Sequence, residues 1–80
     1  MNTITYVAHV NKVDEGFVAE FPDVPGAEVK ARTKEEVLIH ARAALCGVLA
    51  TMLDDKKPLP EPKTKPDESK GLVEVNIIVQ

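Results

Sequence analysis

The alternation of apolar and polar positions predicts two antiparallel strands at the start of the chain. From Ile4 to Val10 the even-numbered residues are apolar, which is the pattern of a strand with one buried face. Asp14, Glu15 and Gly16 then supply turn-forming residues, and the alternation resumes from Phe17 to Phe21. The two strands are therefore expected to form a hairpin.

Two prolines interrupt the pattern where the second strand stops. Within residues 22–26, PDVPG, Pro22 and Pro25 lack the backbone N–H that a strand ladder needs, and the pair Pro25-Gly26 fits the centre of a type II turn. The chain must reverse here. Beyond the turn a third, short strand with a charged outer face is predicted, because apolar residues alternate with charged ones at Ala27, Val29 and Ala31.

A long helix is predicted to follow. Thr33 to Glu36 has the S/T-x-x-E form of a capping box, in which Thr33 accepts from the N–H of Glu36 and the Glu36 carboxylate reaches back to the N–H of Thr33. At 100° per residue, one set of apolar side chains falls within an arc of about 120°, the strip expected to lie on the sheet. It consists of Val37, Leu38, Ala41, Leu45, Val48, Leu49 and Met52.

The other side of this helix carries a second apolar strip. A helix that is apolar nearly all round is normally covered on two sides, and 80 residues provide only one layer to cover it. We therefore expect a homo-oligomer, a dimer or higher assembly, formed through this strip. Its members are Ile39, Ala43, Cys46, Ala50 and Leu53.

The end of the chain predicts a linker and a last strand. Pro58 prevents continuation of the helix, and residues 58–70 hold four prolines with alternating charges, as an extended, semi-rigid linker does. Residues 71–80 alternate again as a strand. The fold class is therefore α+β, with the order βββαβ in one domain spanning residues 1–80 and one long helix on one face of an antiparallel sheet.

Charge distribution favours a basic protein as partner. Residues 14–36 carry seven acidic and three basic side chains, which leaves −4 in that segment of a chain whose total is −3. Residues 54–70 hold five acids and five bases and make no basic arm. We therefore expect no direct binding of DNA or RNA. An ordinary solubilising surface is the alternative explanation of the acidic segment.

The sequence predicts a cytosolic protein without disulfides. Its N-terminus, MNTITYVAHV, lacks the basic and apolar regions of a signal peptide, and the pattern indicates no helix of membrane length and no membrane partner. Cys46 is the single cysteine, so no internal disulfide can form, and no Cys/His set for zinc is present.

No catalytic group is predicted. Glu20 and Glu28 are expected to share the outer sheet face, but basic residues adjoin them, and neither a third carboxylate nor a histidine is predicted nearby, so metal-assisted catalysis is not indicated. Cys46 and His40 lie about 120° apart around the helix, too far round to act as a nucleophile pair. We expect a non-enzymatic binding protein without cofactors.

The order of motifs resembles the HicB family of antitoxins. The resemblance covers about the whole chain and is most specific in DEGFVAEFPDVPG, with its F-P-D-x-P-G core. It continues in TKEEVLIHARAAL and in the PLPEP run after the helix. It implies a partial RNase H-like fold without nuclease residues, and a protein that covers the active surface of HicA, a small basic toxin that cleaves RNA.

On this resemblance we expect Glu20, Asp23 and Glu28 to contact the toxin, because complementary charge guides association. For Asp23 two readings stay open: its side chain either caps the loop backbone or points outward to the partner. The alternative function is a stand-alone homo-oligomeric scaffold or small-ligand sensor without a toxin. Family members usually continue into a DNA-binding segment, whereas this sequence stops at Gln80, so operator binding is not expected of this chain unless a separate protein supplies it.

Overall fold

The structure, a computed structural model, describes residues 2–79 and has one long helix against one face of a four-stranded sheet. The predicted α+β class and the order βββαβ are confirmed, with one added turn of 3₁₀ helix before the last strand. The elements are β1 (Asn2–Val13), β2 (Gly16–Glu20), β3 (Val29–Ala31), α1 (Lys34–Asp54), the 3₁₀ turn (Glu68–Lys70) and β4 (Leu72–Val79).

The strands are antiparallel throughout and lie in the order β3-β2-β1-β4. The predicted hairpin closes with Val13 opposite Gly16. β1 is a central strand, because the last strand of the chain pairs with its other edge, from Asn2 opposite Val79 to His9 opposite Leu72. The first and last strands are therefore neighbours in the sheet.

Gly26, in the turn between β2 and β3, has the predicted positive φ, and the strand after the turn is shorter than predicted. Gly26 has a φ of 97°, the positive value that a type II turn requires at its third position. Ala27 is buried, but it lies outside the strand, which begins at Val29. Alternation alone did not separate a buried loop residue from a strand residue.

Helix α1 begins where its sequence predicts, with one of the two predicted capping bonds; among the described residues the return bond from the Thr33 N–H to the Glu36 carboxylate is not formed. The Thr33 hydroxyl accepts from the N–H of Glu36 at 3.1 Å, and this bond satisfies one of the free N–H groups of the first turn. The strip predicted to lie on the sheet does so. Val37, Ala41, Leu45 and Leu49 are buried in the core, and Leu38, Val48 and Met52 pack against it partly exposed.

The length of α1 corrects one expectation. Its 21 residues are, by length and composition alone, enough to cross a membrane, so the prediction that no helix reaches this length was wrong. The reason is the second apolar strip, which raises the hydropathy of a helix whose first strip packs on its own sheet. Core helices of soluble proteins meet the same criterion.

Candidate functional site

Asp23 fastens the segment after the helix to the turn after β2. Its Oδ2 accepts from the backbone N–H groups of Lys63 at 2.9 Å and Thr64 at 2.8 Å, and its Oδ1 accepts from the Thr64 hydroxyl at 3.1 Å. We call these three residues the latch. Of the two readings left open by the sequence, the side chain binds backbone, although the backbone belongs to a segment 40 residues further along the chain.

A second bond holds the same segment, residues 58–66, which we call the strap. The Tyr6 hydroxyl donates to the carbonyl oxygen of Pro60 at 2.6 Å, and Leu59 packs partly buried against the core. Burial raises the pKa of Tyr6, and the negative charge of Asp23 adds to this. The phenol therefore remains a donor at neutral pH. The proline-rich segment, irregular as predicted, is tied to the core at two points.

The two other predicted contact residues, Glu20 and Glu28, adjoin the paired ends of β2 and β3. Ala19 and Val29 are paired and pack on the core side; Glu20, the last residue of β2, therefore faces away from α1, and Glu28 directly precedes β3. Both are exposed. They form the acidic pair of this surface.

The expectation that no histidine lies near these two carboxylates was wrong, because His9 lies beside Glu20. His9 lies opposite Glu20 in the β1–β2 register, and its Nδ1 is 3.8 Å from a Glu20 carboxylate oxygen and 3.4 Å from Asn11 Nδ2. The signal was present in the alternation, since the even-numbered residues of this strand are the apolar ones and His9 falls between two of them. Finding its partner required the strand register. On the same strand Val7 is 3% exposed although it lies outside the main core cluster.

Basic side chains border the acidic pair. Lys30 lies opposite Val18 in the β2–β3 register, on the outer face. Lys30 and Arg32 also line an open cleft beside the β1–β2 turn, together with Asp14 and Glu15. The surface therefore has mixed charge, and the acids are concentrated near the ends of β2 and β3.

The second strip of α1 is exposed along its length. Ile39 is 67% exposed and Leu53 is 49% exposed, and the strip between them consists of exposed small residues, Ala43, Cys46 and Ala50. These five residues occupy one side of the helix, as predicted, and are accessible in the single chain. We call them the helix strip.

Within residues 2–79, the structure holds no group of three or more His, Cys, Asp or Glu side chains arranged to bind a metal ion. His9 and Glu20 form a pair rather than such a group, while His40 and Cys46 are each exposed on α1. The features with a defined geometry are therefore the acidic pair, the latch with its strap, and the helix strip.

Residues 5–80 match a family model described as HicB-like antitoxin of bacterial toxin–antitoxin systems. Among curated proteins, the chain is 35% identical over 56 residues to an uncharacterised 14.9 kDa protein of Haemophilus phage HP1, encoded in the rep-hol intergenic region. That match covers 70% of this chain and 42% of the phage protein, so the chain spans less than half the length of this relative.

Two solved structures have the same fold. A chain of the HicA3 and HicB3 toxin–antitoxin complex superposes with a TM-score of 0.68 at 22% identity. The N-terminal domain of the Burkholderia pseudomallei antitoxin HicB gives a TM-score of 0.68 at 20% identity. Each match covers 96% of this chain and 99% of the other.

Proposed function

This chain belongs to the HicB-like antitoxins of bacterial toxin–antitoxin systems, and from that premise we propose that it binds and neutralises a small basic HicA-like toxin that cleaves RNA. The observation that carries the proposal is the family match over residues 5–80. The fold likeness to a chain of a toxin–antitoxin complex supports it.

The proposed contact surface centres on the acidic pair. Glu20 and Glu28 are exposed, each next to the Ala19–Val29 pair of β2 and β3, and a basic partner gains most from carboxylates that are free to approach it. Asp23, predicted as a third contact, already accepts three hydrogen bonds from the strap. Its proposed part is to fix the loop next to Glu20, with any contact to the toxin made from that bonded position.

Reversing both charges of the acidic pair, Glu20→Lys with Glu28→Lys, is expected to weaken toxin binding about 30-fold, or about 2 kcal/mol, because like charges then face each other across the contact. Calorimetric titration with the cognate toxin, at low and at high salt, measures the change. The matched control is Glu61→Lys with Glu68→Lys, which makes the same charge change at two other exposed positions. An equal loss of toxin affinity in both double variants would show that the effect depends on net charge alone and would contradict the proposed contact surface.

Retention of partners from native lysate tests the function and identifies the toxin in one step. The tagged chain is expected to retain a small basic protein at low salt and less of it at high salt, because surface charge pairs are screened. The retained protein should cleave RNA when it is separated from the chain. Recovery of the chain alone, as a defined oligomer, would instead favour the scaffold function.

We also propose that the chain dimerises through the helix strip. Ala43→Glu places a charge at the middle of the strip and is expected to weaken the dimer at least about tenfold, since a charge buried without a partner is costly. The single chain should stay folded, because Ala43 is exposed in it. Thr51→Glu on the polar border of the helix is the control. Sedimentation gives the mass, and an unchanged mass for Ala43→Glu would place the interface elsewhere.

A further inference from the structure

Strand β4 has an edge that the described chain leaves almost entirely unpaired. β4 is the last strand in the order β3-β2-β1-β4, so β1 covers one edge only. At the start of the other edge, Leu72 donates its N–H to the carbonyl of Asp67 at 3.0 Å and accepts from the N–H of Asp67 at 2.9 Å. The neighbouring Gly71 instead bonds towards β1, where its carbonyl accepts from Val10 at 2.8 Å.

These bonds fix the direction of the remaining groups. In an antiparallel ladder the residues of one strand turn their N–H and C=O alternately to one neighbour and the other. Because Leu72 faces away from β1, the backbone groups of Glu74, Asn76 and Ile78 face the same way. Within residues 2–79 no strand or turn pairs with them, and they present six hydrogen-bonding groups in a row.

This edge lacks the usual protection. Exposed edge strands are commonly blocked by lysine, proline, a bulge or short length. β4 has eight residues, no lysine and no proline, and Glu74 is its one charged residue. Its outer side also carries Ile78, which is 64% exposed. The short edge strand on the other side of the sheet, β3, has three residues and a lysine at its centre.

We propose that β4 pairs edge to edge with β4 of a second copy of this chain, antiparallel and centred on Asn76. In this register Asn76 lies opposite Asn76 of the second copy, and Glu74 lies opposite Ile78. All six outward groups of each strand then find partners. Two four-stranded sheets become one continuous sheet of eight strands related by a two-fold axis.

Neighbouring registers use fewer groups. Centring on Val75 would place Ile78 opposite Leu72, whose groups already bond Asp67. Centring on Ile77 would place Glu74 opposite residue 80 of the second copy, which lies outside the described residues. The register on Asn76 is therefore the one that completes the ladder within the described part of β4.

The side chains of β4 suit a copy of itself. With Asn76 at the centre, the two Glu74 carboxylates lie apart and each faces an isoleucine, while on the core side Val75 lies opposite Ile77. The exposed Ile78 gains cover. A strand from a basic toxin would meet one carboxylate along this edge, which is a weak match by charge. These features favour a second copy as the occupant.

Cysteine cross-linking tests the register in the full chain with Cys46→Ser, which removes the native thiol. Asn76→Cys is expected to form a disulfide-linked dimer under mild oxidation, because residues opposite each other in such a pair have Cα atoms about 5.5 Å apart, within the disulfide range. Glu74→Cys is the matched control. Its two copies are offset by four residues, about 13 Å, and should stay unlinked, whereas a mixture of Glu74→Cys and Ile78→Cys should link.

Cross-linking of Glu74→Cys as efficient as that of Asn76→Cys, or none in either, would overturn the proposal. The helix strip is tested separately by adding Ala43→Glu: the Asn76→Cys cross-link should persist, and its loss would mean that no edge pairing exists apart from the strip.

A charged substitution at the centre of the proposed β4–β4 pair gives a second test, through the dissociation constant of the dimer. Asn76→Lys opposes two ammonium groups across the axis and is expected to raise the dissociation constant of the edge dimer at least about tenfold. Asn11→Lys makes the same substitution at an exposed position of β1 away from this edge and should have no effect. If Asn76→Lys leaves the mass unchanged but abolishes toxin retention, the edge belongs to the toxin and the proposal fails.

Discussion

Replacing Gly16 by alanine is expected to lower the free energy of unfolding by about 4 kcal/mol, through positive-φ strain and overpacking together. Gly16 has a φ of 147°, and a Cβ built there would lie 2.2 Å from the carbonyl oxygen of Ala31 and 2.9 Å from Cα of Arg32. Both contacts are to backbone, which cannot rotate away as a side chain would. Urea unfolding monitored by circular dichroism measures the loss.

Alanine substitutions at two further glycines separate backbone strain from overpacking. Gly26 also has a positive φ, 97°, but an added Cβ meets nothing within 4 Å, so Gly26→Ala should cost about 1 kcal/mol from strain alone. Gly47 lies in α1 with open space around it, and Gly47→Ala should stabilise the chain by about 0.5–1 kcal/mol. A Gly16→Ala loss no larger than that of Gly26→Ala would show that the hairpin and β3 move apart easily.

Removing the latch carboxylate by Asp23→Ala is expected to lower the free energy of unfolding by about 2–3 kcal/mol. Hydrogen bonds to a charged group each contribute about 1.5–3 kcal/mol, but water can replace part of the three bonds because the site is partly open. Hydrogen exchange gives a local reading, since the amides of Lys63 and Thr64 should exchange faster than in the parent chain.

The controls for the latch vary charge and acceptor separately. Asp23→Asn keeps one acceptor oxygen and should lose about half as much stability. Glu61→Ala removes a charge from the strap at an exposed position and should change stability by less than about 0.5 kcal/mol. Unchanged exchange at Lys63 and Thr64 in Asp23→Ala would mean that Tyr6 and Leu59 hold the strap without the latch.

Local signals were sufficient for the hairpin and the helix. The β1–β2 turn, the Thr33 cap and the positive φ of Gly26 depend on residues close together in the sequence, and each was predicted at the right place. The neighbour of β4 was not predicted, because alternation identifies a strand and its buried face but carries no information on which strand it joins. The pairing of Thr5 with Asn76 spans 71 positions.

In the candidate site, too, local features were predicted from the sequence and contacts between distant residues were not. The exposure of Glu20, Glu28 and the helix strip followed from periodicity alone. The position of His9 beside Glu20 depended on register, and the partners of Asp23 lie 40 residues further along the chain. Short polar side chains in loops have many possible partners at such distances, so the sequence left two readings open for Asp23.

The pairing of β1 with β4 decides when the four-stranded sheet can form during synthesis of the chain. The hairpin of β1 and β2 needs only residues 2–20, whereas the second edge of β1 waits for β4. At ribosomal rates the 71 positions between Thr5 and Asn76 take about 4–14 s. Until then β1 lacks one of its two neighbouring strands, so the backbone N–H and C=O groups along that edge have no strand partner. A chain that ends before β4 therefore presents a second exposed sheet edge, on β1, in addition to the one on β3.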